Sequence, residues 1–153
     1  MAVFFIDSSA LVKRYVRERG TAFVTDTTDP AAAHRVYIAR ITGVEVIAAL
    51  ARRHRAGDIA TDALAAVIAQ FREEFAVVYR VVEMTAGLLA DAMRLAETGE
   101  LRGYDAVQLA AALRVHAECT ALGLSITVIS ADADLNEAAL AEGLAVEDPT
   151  RYP

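Results

Sequence analysis

The sequence predicts an α/β fold in which short strands alternate with helices around a mostly parallel sheet. Three observations lead to this expectation. The short apolar runs do not alternate with polar residues, which is typical of strands buried on both faces. Longer amphipathic segments separate these runs, and glycine or threonine marks several of their ends. The chain has 153 residues, 56% of them hydrophobic, which is enough to bury a core as a single domain over residues 1–153.

Five short segments have the composition of buried strands. The first reads VFFI and the third VVYRVV, and both are rich in the β-branched and aromatic residues that strands favour. The last one lies just before Pro149, which limits its length. The expected strands are residues 3–6, 36–39, 77–82, 125–129 and 144–146.

The segments between these strands have the apolar spacing of helices. Ser8 or Ser9 is expected to cap the first helix, and Gly20 either ends it or introduces a second short helix. Residues 27–30 read TTDP and are expected to form a loop. Thr85 is expected to cap the helix that follows the third strand. The longer helices are expected at about 42–56, 62–75, 85–97, 103–118 and 135–142.

Composition limits the function classes and the location. The formal net charge of −6, from 15 basic and 21 acidic residues, argues against sequence-blind coating of nucleic acid. It does not exclude a nuclease, because metal-binding carboxylates lower the net charge. The lone Cys119 cannot form an internal disulfide, and the N-terminus has no basic region typical of a signal peptide. The apolar runs are too short to span a membrane, so a cytoplasmic protein is expected.

Several carboxylates lie where an α/β fold places its ligand site, at the carboxyl ends of the strands. Asp7 ends the first strand, and Asp132 follows the fourth. Glu45 borders an apolar helix face, and Asp105 lies in the first turn of its helix. Two carboxylates about 4 Å apart repel by roughly 4 kcal/mol at an effective dielectric of about 20, so a cluster needs cations. Oxygen ligands without His or Cys favour Mg²⁺ or Mn²⁺.

Each acid also has a purely structural explanation, and spacing alone does not show that they converge. Asp7 could cap the following helix, and Glu45 could pair with Arg52. Asp105 suits a helix N-terminus through the helix dipole. Asp134 has Glu137 three residues later, which is the spacing of a capping box with Asp134 at the cap. Asp132 has no comparable structural role.

Four segments resemble, in order, the acidic motifs of PIN-domain ribonucleases, and among these most of all the VapC toxins of bacterial toxin–antitoxin pairs. They read FIDSSALVKRY, GVEVIAALAR, LRGYDAVQLAAAL and VISADADLNEAALAEGL. The resemblance runs from Val3 to about Pro149. Its most specific parts are DSSALVK, the YDA segment that contains Asp105, and SADADL after the fourth strand.

The resemblance implies a three-layer α/β/α fold with a five-stranded sheet of order 3-2-1-4-5. It implies a Mg²⁺- or Mn²⁺-dependent endoribonuclease with an RNA substrate, a homodimeric state and a VapB-like antitoxin as inhibitor. The catalytic and metal-binding residues that it implies are Asp7, Glu45, Asp105 and Asp132. Asp134 is a further, less central ligand, and Ser9 and Ser130 are supporting residues.

Other functions stay open at this point. The same motifs suit a PIN-fold RNA-processing nuclease without an antitoxin, and a PIN fold used only for binding. Arg14, Arg40 and Arg52 could steer phosphate or simply be solvated. The helix at 62–75 carries an apolar stripe that includes Leu64 and Val67. This stripe could cover the sheet, or it could form a groove for an apolar segment of the antitoxin.

Overall fold

A computed structural model describes every residue from Met1 to Pro153 and contains one parallel sheet of five strands. Neighbouring strands all pair in parallel, in the order β3-β2-β1-β4-β5. This is the expected order and class, so the α/β prediction is confirmed. The strands are β1 (Val3–Ile6), β2 (Arg35–Ala39), β3 (Arg80–Val82), β4 (Thr127–Ile129) and β5 (Ala145–Glu147).

Seven helices surround the sheet, and short 3₁₀ turns at Val12–Arg14, Pro30–Ala32 and Pro149–Arg151 connect some of them. None of the helices is both long enough and apolar enough to cross a membrane. The helices are α1 (Ser8–Leu11), α2 (Thr21–Thr28), α3 (Arg40–Arg55), α4 (Thr61–Val77), α5 (Ala86–Thr98), α6 (Gly103–Ala121) and α7 (Ala133–Ala141).

The sheet separates two apolar cores because successive side chains of a strand point to opposite faces. Val3 and Phe5 of β1 pack in one core with α5, α6 and α7. Ile6 belongs to the other core, with α1, α3 and α4, and Phe4 packs against it. Burial on both faces explains why the strands read as continuous apolar runs. The sheet therefore stands between helix layers and presents only its ends to ligands.

The third strand is shorter than expected, because α4 extends into the apolar run that was assigned to it. The strand was predicted at 77–82 but begins at Arg80, and α4 continues to Val77. The helical spacing of Phe71, Phe75 and Val78 continues one apolar face, and all three contact the core. A short apolar run fits a helix or a strand equally well, and here the packing of these side chains against the core favours the helix.

A short helix occupies part of the segment predicted to be a loop at 27–30. Helix α2 includes Thr27 and Thr28, whose hydroxyls each donate to a backbone carbonyl one turn back at 2.7 Å. Gly20 introduces this helix with φ of 88°, a left-handed conformation that favours glycine. A β-carbon at Gly20 would lie 2.4 Å from the Pro149 carbonyl oxygen. Of the two roles considered for Gly20, introduction of a second helix is confirmed.

An ion pair at Glu74 ties α4 to the segment after α1. Arg14 donates to both Glu74 carboxylate oxygens, at 2.8 and 2.9 Å, and the Tyr15 hydroxyl also donates to Glu74. Burial opposes ionisation of Glu74, but these hydrogen bonds outweigh it and lower its pKa to about 2. Arg14 is therefore held in the structure, and Arg40 pairs with Glu83. Only Arg52, of the three arginines considered for phosphate steering, has no carboxylate partner.

Candidate active site

Two neighbouring strands deliver Asp7 and Asp132 to the same end of the sheet. In the pairing of β1 with β4, Ile6 lies opposite Ile129, and Asp7 directly follows Ile6. The Asp7 amide donates to the Ile129 carbonyl at 3.2 Å, which holds the two strand ends together. Asp132 lies three residues beyond Ile129. The parallel register thus brings the first and fourth acidic motifs together.

Asp7 is buried and caps α1. Its Oδ1 accepts from the Ala10 amide at 3.2 Å, and the Ser9 hydroxyl donates to both carboxylate oxygens at 2.8 and 2.9 Å. The expectation that Ser8 or Ser9 caps this helix is therefore wrong, and the Asp7 alternative is confirmed. Burial raises the pKa of Asp7 to about 7, with a smaller contribution from the charge of Glu45, although the bonds from Ser9 and Ala10 oppose the rise.

Two serine hydroxyls join the loops that carry the first and fourth motifs. Ser9 Oγ accepts from the Ala131 amide at 2.9 Å and lies 3.5 Å from Ser130 Oγ. Ser130 Oγ in turn accepts from the Asp132 amide at 3.0 Å. Asn136, which the sequence analysis did not identify, donates to the Ser130 carbonyl at 2.9 Å. Hydroxyls and one amide therefore set the relative position of Asp7 and Asp132.

Asp132, and not Asp134, caps α7. Its Oδ1 accepts from the Leu135 amide at 3.0 Å, and the helix begins at Ala133. The predicted helix began at residue 135, so the predicted cap at Asp134 is wrong by two residues. Asp134 instead lies exposed in the first turn. Asp132 thus has a structural role that the sequence did not indicate, and only one of its oxygens serves as the cap acceptor.

Glu45 is held by hydrogen bonds from two other motifs. Its Oε2 accepts from Ser8 Oγ at 2.9 Å, and its Oε1 accepts from Gln108 Nε2 at 2.8 Å. The alternative pairing of Glu45 with Arg52 is absent. Gln108 also donates to Thr42 Oγ1 at 2.9 Å and is almost fully buried, while its own Oε1 has no partner.

Gln108 is a site residue that the sequence analysis missed, although a signal was present. It lies three residues after Asp105 and therefore on the same side of α6. It is also an isolated amide among alanines and leucines. A buried amide in such surroundings needs partners, and those partners turn out to be Glu45 and Thr42.

Asp105 accepts no hydrogen bond, and the other acids act on it through their negative charge. Burial raises its pKa, and the negative charges of Asp132, Glu45 and Asp134 raise it further, against the opposing charge of Arg102. In the present side-chain positions, no three acidic, His or Cys side chains stand close enough to share one ion. The charges of the other acids therefore add to burial in raising the pKa of Asp7 and of Asp105, and the acids do not already form a closed ligand cage.

Two depressions meet beside Glu45. One, of about 690 Å³, is lined by Glu45 together with Ser8, Ser9, Arg52 and Tyr104. The other, of about 820 Å³, is a mainly apolar groove between α3 and α4. They share three lining residues of α3, which are Ile41, Val44 and Ala48.

Comparison with known proteins gives both sequence relatives and structural neighbours, although no protein-family model matches the chain. Ribonuclease VapC45 and Ribonuclease VapC49, from two strains of Mycobacterium tuberculosis, are each 36% identical over 115 residues. The match covers 75% of this chain and 78% of each relative.

Solved structures with the same fold cover nearly the whole chain. PAE2754 from Pyrobaculum aerophilum superposes with a TM-score of 0.64 at 19% identity, over 98% of this chain and 85% of that one. Mycobacterium tuberculosis VapC20, described as a sarcin-ricin loop cleaving toxin, has a TM-score of 0.60 at 20% identity over 98% and 99%. VapBC2 from Rickettsia felis, bound to a DNA fragment from its promoter, has a TM-score of 0.59 at 9% identity over 95% and 98%. On the identity and coverage of the two sequence relatives, this chain belongs to the VapC family of ribonucleases.

Proposed function

We propose that the chain is a divalent-metal-dependent endoribonuclease and the toxin of a toxin–antitoxin pair. The observation that supports this most directly is that, in addition to burial, charges from other acidic segments raise the pKa of Asp7 and of Asp105 in a chain of the VapC ribonuclease family. Such a cluster is unfavourable for stability unless it serves to bind cations. Catalysis of phosphodiester hydrolysis is a function that justifies this cost.

The residues present fit a magnesium or manganese ion. All the donors are carboxylate or hydroxyl oxygens, which hard divalent ions prefer. Asp105 is bonded to no donor of the chain, and the charges around it are mostly negative, so an added cation would relieve repulsion there. The residues that would hold the ion are Asp7, Glu45, Asp105 and Asp132, with exposed Asp134 as a peripheral member. A bound ion would supply Lewis-acid chemistry for hydrolysis of the RNA backbone.

The other residues of the site orient these ligands. Ser9 donates to Asp7, and Gln108 and Ser8 donate to Glu45. The bond from Ser9 also opposes the rise of the Asp7 pKa that burial causes. The positions of these residues are set by helices and strand ends rather than by long loops. This limits the reorganisation that ion binding requires.

Cleavage of RNA by the purified chain tests the proposal. Wild-type protein should cleave RNA with Mg²⁺ or Mn²⁺ and lose this activity with EDTA, and Asp105→Asn should be inactive with either ion. Asp26→Asn removes an exposed carboxylate on α2 that belongs to none of the four acidic motifs, and should retain full activity. Cleavage that survives EDTA, or that Asp105→Asn leaves unchanged, would contradict the metal-dependent mechanism. RNA binding without cleavage would favour a binding module.

The groove between α3 and α4 is proposed to receive an apolar segment of the antitoxin. Val44 lines it and is 71% exposed, and through the lining residues that both share, the groove adjoins the depression that contains Glu45. The expected contribution of Leu64 is not what the structure shows, because Leu64 packs against the core and does not line this groove. Val67 lines a separate depression next to Tyr15.

A matched pair of variants tests this groove. Val44→Glu should weaken the complex with the co-expressed product of the neighbouring antitoxin gene. Val77→Glu alters an equally exposed valine, 76% accessible and outside the groove, and should leave the complex intact. Equal affinity of both variants would place the partner elsewhere. If no neighbouring gene encodes a binding partner that blocks cleavage, a housekeeping nuclease becomes the better description.

A homodimer is the proposed assembly. The cytoplasm is the proposed location, because the proposed substrate is RNA. Leu89 and Met93 support the assembly, since they lie one turn apart on α5 and are both exposed. Light scattering should give a dimer for the wild type and a monomer for Met93→Glu. A monomeric wild type would contradict this part of the proposal.

A further inference from the structure

We propose that Tyr104 is a base-stacking platform for an unpaired RNA nucleotide and that Arg52, on a facing element, contacts a neighbouring phosphate. This inference rests on the ribonuclease function proposed above and adds to it two contacts with the substrate. Neither residue belongs to the acidic ligand set. Both line the same 690 Å³ depression as Glu45.

Tyr104 is exposed where burial would be expected of an aromatic residue. It directly precedes Asp105 in the first turn of α6, and 63% of its surface is accessible. Its hydroxyl makes no hydrogen bond, and its ring is paired with no other aromatic ring, whereas Tyr15, Tyr79 and Tyr152 all have hydroxyl partners. An aromatic side chain with a bare face beside catalytic acids suits a base, because every base offers a π-face for stacking.

Arg52 differs from Arg53, the other arginine that lines the depression, because it pairs with no carboxylate. Arg14, Arg40, Arg53, Arg94 and Arg114 each pair with an acid. Arg52 is exposed in the last turn of α3 and lines the depression with Tyr104. A free guanidinium beside a site of mostly negative charge provides the attraction that a phosphate needs there.

The size and composition of the depression indicate which class of ligand fits it. Ligand sites for small molecules or single nucleotides span about 300 to 1,000 Å³, and this depression lies within that range. Stacking on Tyr104 needs a base that is free of its helical neighbours, because bases within a duplex have both faces covered. The occupant is therefore a nucleotide of a single strand or loop, with its base on Tyr104 and its backbone directed toward the acids.

Binding measurements on Asp7→Asn protein, which is expected not to cleave, separate base contacts from backbone contacts. The probe is a fluorescein-labelled single-stranded RNA of mixed sequence, compared with a ribose-phosphate chain of the same length that lacks all bases. In this background Tyr104→Ala should weaken RNA binding about 5- to 150-fold, the range for loss of one stacked base. It should leave binding of the base-free chain unchanged. Tyr104→Phe should bind like tyrosine, and Tyr104→Leu like alanine.

Arg52→Ala should weaken binding of both probes and lower the slope of log Kd against log salt by about 0.7, as expected for one lost contact to a single-stranded phosphate. Arg55→Ala, which removes an exposed arginine at the end of the same helix, is the matched control and should change neither affinity nor slope by a comparable amount.

Three outcomes would overturn the inference. They are an equal effect of Tyr104→Ala on both probes, no effect on either, and an effect confined to self-association or antitoxin binding, which would make Tyr104 a protein contact. These outcomes are distinct from failure of the proposed function. If wild-type protein cleaves RNA and the two probes respond equally, only the role of Tyr104 is refuted. If wild-type protein cleaves nothing, the proposed activity fails, while the binding comparison still decides for or against stacking.

Discussion

Replacement of Asp7 by asparagine should stabilise the metal-free protein while it abolishes RNA cleavage. Asp7 is 3% exposed, and burial with the nearby charge of Glu45 raises its pKa from 3.8 to about 7. Each unit of pKa corresponds to about 1.4 kcal/mol, so the ionised side chain destabilises the fold by about 4 kcal/mol above pH 7. Asparagine carries no charge and serves nearly as well as a helix cap.

The net gain should be smaller than this value, because the substitution also disturbs the Ser9 contact. The Ser9 hydroxyl donates to both Asp7 oxygens, and asparagine offers only one acceptor. One weakened hydrogen bond accounts for about 1 kcal/mol, which leaves a stabilisation of about 3 kcal/mol near pH 7.5.

The pH dependence has a definite sign. The folded state holds the Asp7 proton more tightly than the unfolded state, so wild-type stability is highest below about pH 4 as far as Asp7 is concerned. It falls as the pH rises through about 7. The raised pKa of Asp105 acts in the same direction. Asp7→Asn should remove most of this decline, and Mn²⁺ should stabilise the wild type more than the variant.

Urea denaturation in EDTA between pH 4.5 and 8 measures this directly, with Asp26→Asn as the control for loss of an exposed carboxylate. A wild-type stability that is flat or rises over this range would refute the assignment of a destabilising buried charge to Asp7. So would a variant less stable than the wild type at pH 7.5. Cleavage retained by Asp7→Asn would refute its role in the active site.

Three further predictions concern the neighbouring residues. Asp132→Ala should lose cleavage and, because it also loses the α7 cap, about 1 kcal/mol of stability, whereas Asp132→Asn should lose cleavage alone. Asp134→Asn should keep more activity than either variant of Asp132. A complete loss of activity in Asp134→Asn, measured on the same RNA, would make Asp134 an essential ligand. Gln108→Leu removes the donor to Glu45, so calorimetry should show about tenfold weaker Mn²⁺ binding. The melting temperature of the protein in EDTA should change little. An unchanged Mn²⁺ affinity would contradict the positioning role of Gln108. Glu74→Gln should destabilise the protein by about 2 kcal/mol at pH 7 after allowance for solvent screening. Because the pKa of Glu74 is lowered to about 2, the difference in stability between the variant and wild type should shrink as the pH falls from 4.5 toward 2. Urea midpoints of the two proteins that differ equally at both ends of this range would contradict the ion pair.

Much of the fold could be predicted because it depends on local pattern. The five apolar runs mark the strands, and the core strand β1 has the predicted bounds. Errors occurred where two local patterns compete, as at Val77, where an apolar run continues a helix face before the strand begins at Arg80. They also occurred where several polar residues in succession can each cap a helix, as in the Asp7-Ser8-Ser9 and Asp132-Ala133-Asp134 segments.

The sequence by itself determined the chemical nature of the candidate site. It supplied oxygen donors without His or Cys, placed Asp7 and Asp132 after strands, and placed Asp105 at a helix start, and these features depend only on residue type and periodicity. The tertiary structure alone decided which groups support the acids. Gln108 and Ser8 reach Glu45 across 63 and 37 residues of chain, and the Ser9 hydroxyl reaches the Ala131 amide across 122. Hydrogen bonds require separations near 3 Å, and no periodicity in the sequence fixes a distance between segments that meet only when the sheet has formed.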